Sequence, residues 1–356
     1  MKKYNSLLKI IVTFIISILM FLYILYHFLL SSPSSNKNII SFEVKSGDSL
    51  LTIADELKDS GLIRSKLAYK LYIKFHKVSG LEAGVYELTP NMDVVALTKT
   101  LSGKSKNTNN IKITFKEGIN MRAVAALIEK NTNYSEEDVY DLLSDDEFLN
   151  ELIEKYWFLT DEIKNKNIYY SLEGYLFPNT YEFKKDATLE EMFITLLNET
   201  DKVLSKYKSD INKSSYSIHE LLTLASIVEL EASRDVDRAS VAGVFYNRLE
   251  NNWSLGSDVT TYYAARVDMS ERDLYVSELN DYNAYNTRSS KMAGKLPVGP
   301  ICNPSEESIL AAINPVSHNY FYFVADKNKK TYFSRTSSEH AKTISELKEA
   351  GLWYEY

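Results

Sequence analysis

Ser217-Ile-His-Glu-Leu-Leu-Thr-Leu-Ala-Ser-Ile-Val-Glu229-Leu-Glu231-Ala-Ser233 runs into a charged bend through Arg234, Asp235, Asp237 and Arg238, and then into Val241-Ala-Gly-Val-Phe-Tyr-Asn-Arg248. From Leu221 to Leu230 apolar residues fall on nearly every face of a helix, broken only by Thr223, Ser226 and Glu229. That pattern predicts a helix buried all round, at the centre of a folded domain. Glu229 is the exception in it. A carboxyl on such a helix either meets a strong partner, with Arg234, Arg238 and Arg248 near in sequence, or keeps a proton because burial disfavours its charge, as a general acid requires. Helical stacking sets Glu229 over Ser226, Ala225, Leu222 and Leu221, a small and apolar face able to floor a cleft. Glu231 lies about 200° away, so the two carboxyls share one cleft only if the helix has ended.

Working outward, 356 residues are too many for one domain of ordinary size, and an apolar content of 45% with 25% charged residues is that of a folded protein. All 48 acidic residues follow residue 40 and only three of the 41 basic ones precede residue 31, so the remainder carries 38 basic against 48 acidic. With no basic tract interleaved with aromatics, nucleic acid is excluded as an expected partner. A single cysteine, Cys302, allows no intrachain disulfide. Twenty-six tyrosines against three tryptophans supply flat, partly polar surface that suits sugar stacking, and equally fit plain compositional bias.

Residues 1–9 form a short basic tail. The 21 positions from Ile10 to Leu30 hold no charge, and at about 1.5 Å per residue they cover roughly the 30 Å of a bilayer's hydrocarbon core. A cleaved signal peptide would be shorter and end in small residues rather than Ser31-Ser-Pro-Ser-Ser-Asn. The run is expected to span the cell membrane once, with the N-terminus cytoplasmic and everything beyond residue 31 outside. Residues 31–40 are a polar linker.

Ile40-Ser-Phe-Glu-Val-Lys-Ser-Gly-Asp-Ser-Leu-Leu-Thr-Ile-Ala-Asp-Glu-Leu57 reads as strand, Gly turn, cap at Asp48 or Ser49, and amphipathic helix. Through Val44, Gly47, Asp48, Ser49, Leu50, Ile53 and Ala54 it resembles the opening of a LysM module, which implies a glycan-binding fold over residues 41–104. After Gly61 the chain runs on through a second helical stretch from Ser65 to His76, longer than the standard module.

Ile111-Lys-Ile-Thr-Phe-Lys-Glu-Gly118 echoes the strand and turn around Gly47, and Leu172-Glu-Gly-Tyr-Leu-Phe-Pro178 echoes Leu81-Glu-Ala-Gly-Val-Tyr. The echo points to an old duplication jointed at 105–110, and it makes Glu173, the counterpart of Glu82, a structural acid. Beyond Arg248, segments dense in Asn, Thr, Tyr and Gly-Pro read as ordered binding loops. A hairpin around Asp326 to Lys329 and a helix from Ser337 to Ala350 close the chain.

Together, Ala225-Ser-Ile-Val-Glu-Leu-Glu231, Val241-Ala-Gly-Val-Phe-Tyr-Asn-Arg-Leu249, Leu255-Gly-Ser-Asp-Val-Thr260, Tyr285-Asn-Thr287, Leu296-Pro-Val-Gly-Pro-Ile-Cys-Asn-Pro304, Tyr322-Phe-Val-Ala-Asp326 and Glu339-His-Ala341 resemble the endolytic murein transglycosylase (YceG-like) family, in order over nearly the whole chain. The resemblance implies an α+β fold: one transmembrane helix (10–30), a small LysM-like α/β subdomain (41–104) and a larger α+β catalytic domain (111–356). It implies Glu229 as the catalytic residue, and cleavage of the β-1,4 bond from N-acetylmuramic acid to N-acetylglucosamine inside nascent peptidoglycan strands, with 1,6-anhydro ends and no cofactor or metal. Where the family carries Gln-Ser/Thr-Asp-Pro-Thr this chain has Gly256-Ser-Asp-Val-Thr260, lacking the Gln and the Pro, and Pro178-Asn-Thr-Tyr181 replaces Pro-Asp-Thr-Tyr. Asp258, Thr260, Tyr285 and Asn286 are the candidate sugar-positioning residues, with turn and capping roles open to the same residue types. Expected partners are peptidoglycan strands, the membrane and wall-synthesis enzymes.

Two other readings stay open: a membrane-anchored glycan-binding scaffold in which Glu229 is structural, and a muramidase that admits water. A metalloprotease is not among them. His219-Glu-Leu-Leu-Thr223 lacks the second His of a zincin, and the five histidines at 27, 76, 219, 318 and 340 have no ligand spacing.

Overall fold

The uncharged run from Ile10 becomes the greater part of one helix, α1 (Lys2–Leu30), long and apolar enough over Ile10–Leu30 to cross a membrane and with almost every side chain outward. A computed structural model of the chain describes residues 2–45, 48–76, 78, 81, 83–102 and 110–353, with backbone alone for 2–9, 50 and 51. Two units, Met1–Asn110 and Ile111–Tyr356, have separate hydrophobic cores.

In the first unit, α1 is followed by β1 (Ile40–Val44), α2 (Leu50–Asp59), α3 (Lys66–Phe75), β2 (Gly84–Leu88) and α4 (Val94–Leu101). β1 pairs antiparallel with β2, Phe42 facing Tyr86 and Ile40 facing Leu88. Strand alternation turns Phe42, Val44, Tyr86 and Leu88 inward, onto Ile53, Leu57 and Tyr69 of the two helices. Ser49, not Asp48, caps α2, accepting from the Thr52 N–H, while Asp48 binds the Lys45 N–H at 2.7 Å. Gly47 and Glu82 lie outside the described residues.

The second unit opens with β3 (Asn110–Thr114), α5 (Met121–Asn131), α6 (Glu136–Leu142), α7 (Asp146–Lys155) and β4 (Thr180–Lys184), which pairs with β3. Both units thus set a two-stranded sheet on helices, the order the sequence echo predicts. Then follow α8 (Leu189–Ser205), α9 (Lys208–Ile211), α10 (Ile218–Glu231), α11 (Arg238–Glu250), α12 (Asp258–Ala265), α13 (Val276–Asn280), α14 (Glu306–Ile313), the hairpin β5 (Tyr322–Ala325) with β6 (Thr331–Ser334), and α15 (Ser337–Glu349).

α10 is the central helix. A capping box between Ser217 and Glu220 starts it, and every residue from Leu221 to Val228 is buried. It packs on α11, α12 and α14. Its polar interruptions are satisfied inside: the Thr223 hydroxyl donates to His219 O at 2.7 Å, and the Ser226 hydroxyl donates to Thr223 O at 2.7 Å while accepting from the Ile301 N–H at 3.0 Å.

Candidate active site

α10 ends at Glu231 because Ala232 turns extended, so Glu229, Leu230 and Glu231 leave the last turn toward three different surroundings. The Glu229 side chain is 6% exposed. Its Oε2 accepts from the Ser305 N–H at 2.9 Å and the Ser305 hydroxyl at 2.5 Å, and its Oε1 accepts from Arg238 Nη2 at 2.9 Å. Each donor is placed by a helix start. Ser305 is the N-cap of α14, so the carboxyl sits at the open N–H end of a helix packed along α10, where negative charge is favoured. Arg238 is the first residue of α11 and is shared with the exposed Asp235, with which it forms a second ion pair. Of the three arginines near in sequence, Arg238 is the partner; Arg234 pairs with Asp237 and Arg248 donates to Phe321 O.

Glu231 meets the opposite wall. Its Oε1 accepts from the Ser257 hydroxyl, before α12, at 2.5 Å. Burial pushes its pKa up; the Ser257 bond opposes this, Asp258 adds to it, and Arg248 and Arg288 pull it back.

The loop after β3 closes the third side. Gly118 has φ +73°, and a Cβ there would stand 3.2 Å from Leu230 Cδ2 and 3.7 Å from Glu229 Cγ, so the backbone lies directly on the last turn of α10. Mutual bonds pin it to the Asn303 segment: Gly118 N–H to Asn303 O at 2.9 Å, and Asn303 N–H to Ile119 O at 2.8 Å. On this loop Glu117 has its pKa raised, by burial first and then by Glu229 and Glu307, with Arg238 opposing. Between Gly118, Leu230, Val259, Tyr262, Tyr263 and Ile301 opens a cavity of about 330 Å³, within the size range of small-molecule sites.

Of the four candidate sugar-positioning residues, Asp258 alone is exposed, and it pairs with Arg288. Thr260 and Tyr285 are 0% exposed and Asn286 is 1%. Thr260 bonds Ser257 O and Thr287 Oγ1, each at 2.7 Å. The Tyr285 hydroxyl accepts the Tyr169 N–H, and Asn286 donates to Glu278 O and Asp281 O while accepting from Thr261. These three support the wall from behind and present no surface to a ligand. His219 is likewise a buried clamp, with Tyr175 OH on Nδ1 at 2.8 Å and Val298 O on Nε2 at 2.9 Å.

Glu173 is 1% exposed. Its Oε2 accepts from the Met121 N–H at 2.8 Å and Tyr263 OH at 3.0 Å, and burial raises its pKa to about 7 against those bonds. Tyr263 lines the cavity, so Glu173 stands one residue behind its surface.

Sequence reasoning missed Ser305 and Glu117. A signal for Ser305 was present: a Pro-Ser-Glu-Glu start to a helix marks an N-cap, and an N-cap is a ready anion site. Nothing local connects Glu117 to Glu229.

The model of the YceG-like family matches residues 42–346. The endolytic murein transglycosylase of Bacillus subtilis strain 168 is 37% identical over 309 residues, covering 86% of this chain and 84% of that protein. The endolytic murein transglycosylase of Streptococcus pneumoniae D39 is 30% identical over 362 residues, covering 94% of this chain and 65% of that longer protein. The crystal structure of a yceG-like protein from Listeria monocytogenes superposes with a TM-score of 0.61 at 34% identity, covering 86% of this chain and 99% of that one.

Proposed function

The chain belongs to the YceG-like family, and from that premise we propose that it is an endolytic murein transglycosylase whose acid and base are one residue, Glu229. The observation that carries the reading is the Glu229 carboxyl itself: nearly buried, fixed by Ser305 and Arg238, on a side chain beside Gly118, which lines the cavity.

In this reading protonated Glu229 gives its proton to the glycosidic oxygen as the bond from the muramic acid C1 breaks. As carboxylate it then takes the proton of the C6 hydroxyl while O6 bonds to C1, leaving a 1,6-anhydro end with no water consumed. A single group serving twice removes the need for a second carboxyl at nucleophile distance. Three donors on one carboxyl are the company of an acceptor, the form that accepts the C6 proton.

Asp258 and Arg288, both exposed, are the groups proposed to meet sugar hydroxyls, on a loop held by Thr260, Tyr285 and Asn286. We assign the first unit as a LysM-like module on the support of its strand-helix-helix-strand order. We further read α1 as a single membrane span with the lysine-flanked N-terminus in the cytoplasm, so that the catalytic unit works outside, beside wall-synthesis enzymes.

The test is mass spectrometry of uncrosslinked peptidoglycan strands incubated with the chain from Ile40 onward, wild type beside Glu229→Gln. Internal fragments ending in 1,6-anhydromuramic acid from the wild type alone are expected. Products heavier by one water would make it a muramidase. Intact strands with both proteins would leave the scaffold.

A further inference from the structure

α3 buries Ala68, Tyr69, Tyr72 and Ile73 and leaves Leu67, Leu71 and Phe75 on its outer side, 67%, 37% and 72% exposed. Spaced by four, these three form one continuous apolar stripe along the helix. Lys66, Lys70 and Lys74, each one position earlier, run beside it as a basic edge, and the first two also pair with Asp55 at 3.1 and 3.5 Å. Three large apolar side chains in line make a patch of the kind that a partner or a membrane covers.

The neighbouring helix identifies the cover. α3 packs against the end of α1: Leu30 is buried in the same core as Tyr69 and Tyr72, and Tyr26 and Leu29 pack on it. Arg64, just before α3, stands 4.7 Å over the Phe28 ring and donates to Ser32 O at 3.1 Å. Tyr26 is four residues before the end of the apolar run, about 6 Å along the helix axis. α3 is therefore held at the level where that run stops, and Tyr26 and His27, whose rings meet edge-on, lie near that level as in an interfacial aromatic belt. Lysines along an apolar stripe can lay their stems on acyl chains and carry their charge to phosphate headgroups.

We propose that the Leu67, Leu71 and Phe75 stripe of α3 lies in the lipid–water interface of the membrane that α1 spans, so that the first unit rests on the bilayer surface it emerges from. This rests on α1 as a span. It goes beyond anchoring, because a lone span would leave α3 facing water.

The experiment uses the full chain in vesicles of phosphatidylglycerol and phosphatidylethanolamine, with Leu71→Cys, Phe75→Cys or, within the span, Leu19→Cys labelled with an environment-sensitive fluorophore. Cys302 is buried and does not compete for the label. Lipids spin-labelled near the headgroup are expected to quench positions 71 and 75 several-fold more than aqueous iodide does, and lipids spin-labelled deep in the acyl chain are expected to quench position 19. Iodide quenching at 71 and 75 with lipid quenching at 19 would overturn the proposal while leaving the span in place. Shielding from both quenchers would overturn it in favour of a second copy of the chain. Loss of lipid quenching at 19 as well would overturn the span and the proposal together.

Discussion

In the proposed mechanism Glu229 concentrates the chemistry into one side chain, and its neighbours divide the roles in a way substitution can separate. Glu229→Gln keeps the shape and the Ser305 bonds but leaves the nearly buried Arg238 without its carboxylate, so cleavage is expected to fall by at least about a hundredfold with the fold retained and Tm lowered by the lost ion pair, checked by product mass and calorimetry on one preparation. Ser305→Ala removes both the hydroxyl on Oε2 and the α14 cap; it is expected to cost about 1 kcal/mol of stability and to lower the cleavage rate, while Ser305→Thr restores both. Glu173 supplies a pH test. Its pKa is raised from 4.5 to about 7 by burial, so its contribution to stability is complete below about pH 4.5 and is lost as pH rises through about 7, by roughly 3 kcal/mol in all. Glu173→Gln carries no such charge, so the fall in Tm between pH 4.5 and 8 is expected to flatten. An unchanged slope would assign the pH dependence to other groups, Glu231 first among them because burial moves it in the same direction.

At the scale of elements, the site is a meeting of ends: the C-terminus of α10, the N-termini of α11 and α14, and the loops at Gly118 and Asn303. Such an assembly depends on close approaches that only glycine permits. Gly174 has φ +82°, and a Cβ there would lie 2.2 Å from Pro300 Cβ. Pro300 belongs to the segment that carries Ser305 to Glu229 and Asn303 to the Gly118 loop. Gly174→Ala is therefore expected to destabilise the second unit by about 3 kcal/mol or more, read as a drop in denaturation midpoint, and to lower activity through Ser305. A variant as stable as wild type would mean that the Pro300 segment moves freely, contrary to its bonds with α10.

At the scale of the whole molecule, the two units share no buried core residue among those described. The chain from Ile111 onward is expected to fold alone, with a native near-UV spectrum and one cooperative thermal transition. A molten spectrum for that piece would show that the first unit is part of its core. The apolar stripe on α3 gives the first unit its own task at the membrane, separate from the cleft in the second.

The sequence by itself determined what depends on local composition and period. The run from Ile10 to Leu30 is legible as one helix long and apolar enough to cross a membrane because that is a matter of length and hydropathy, and α10 is legible as a buried helix because its apolar residues fall on every face. The last hairpin is legible from its strand-forming residues around a polar turn, where Asp326 binds the Asn328 and Lys330 N–H groups. Only the tertiary structure decided which groups meet Glu229. Three arginines were within sequence reach, and the choice of Arg238 follows from where α11 begins. Ser305 is 76 residues away and arrives through the packing of α14 on α10. The same holds for the Tyr285 to Thr287 loop, whose Asn and Thr residues look like ligand groups in sequence. Folded, they are consumed by buried backbone and hydroxyl partners, because a buried polar atom takes the nearest partner in space, which sequence spacing does not record.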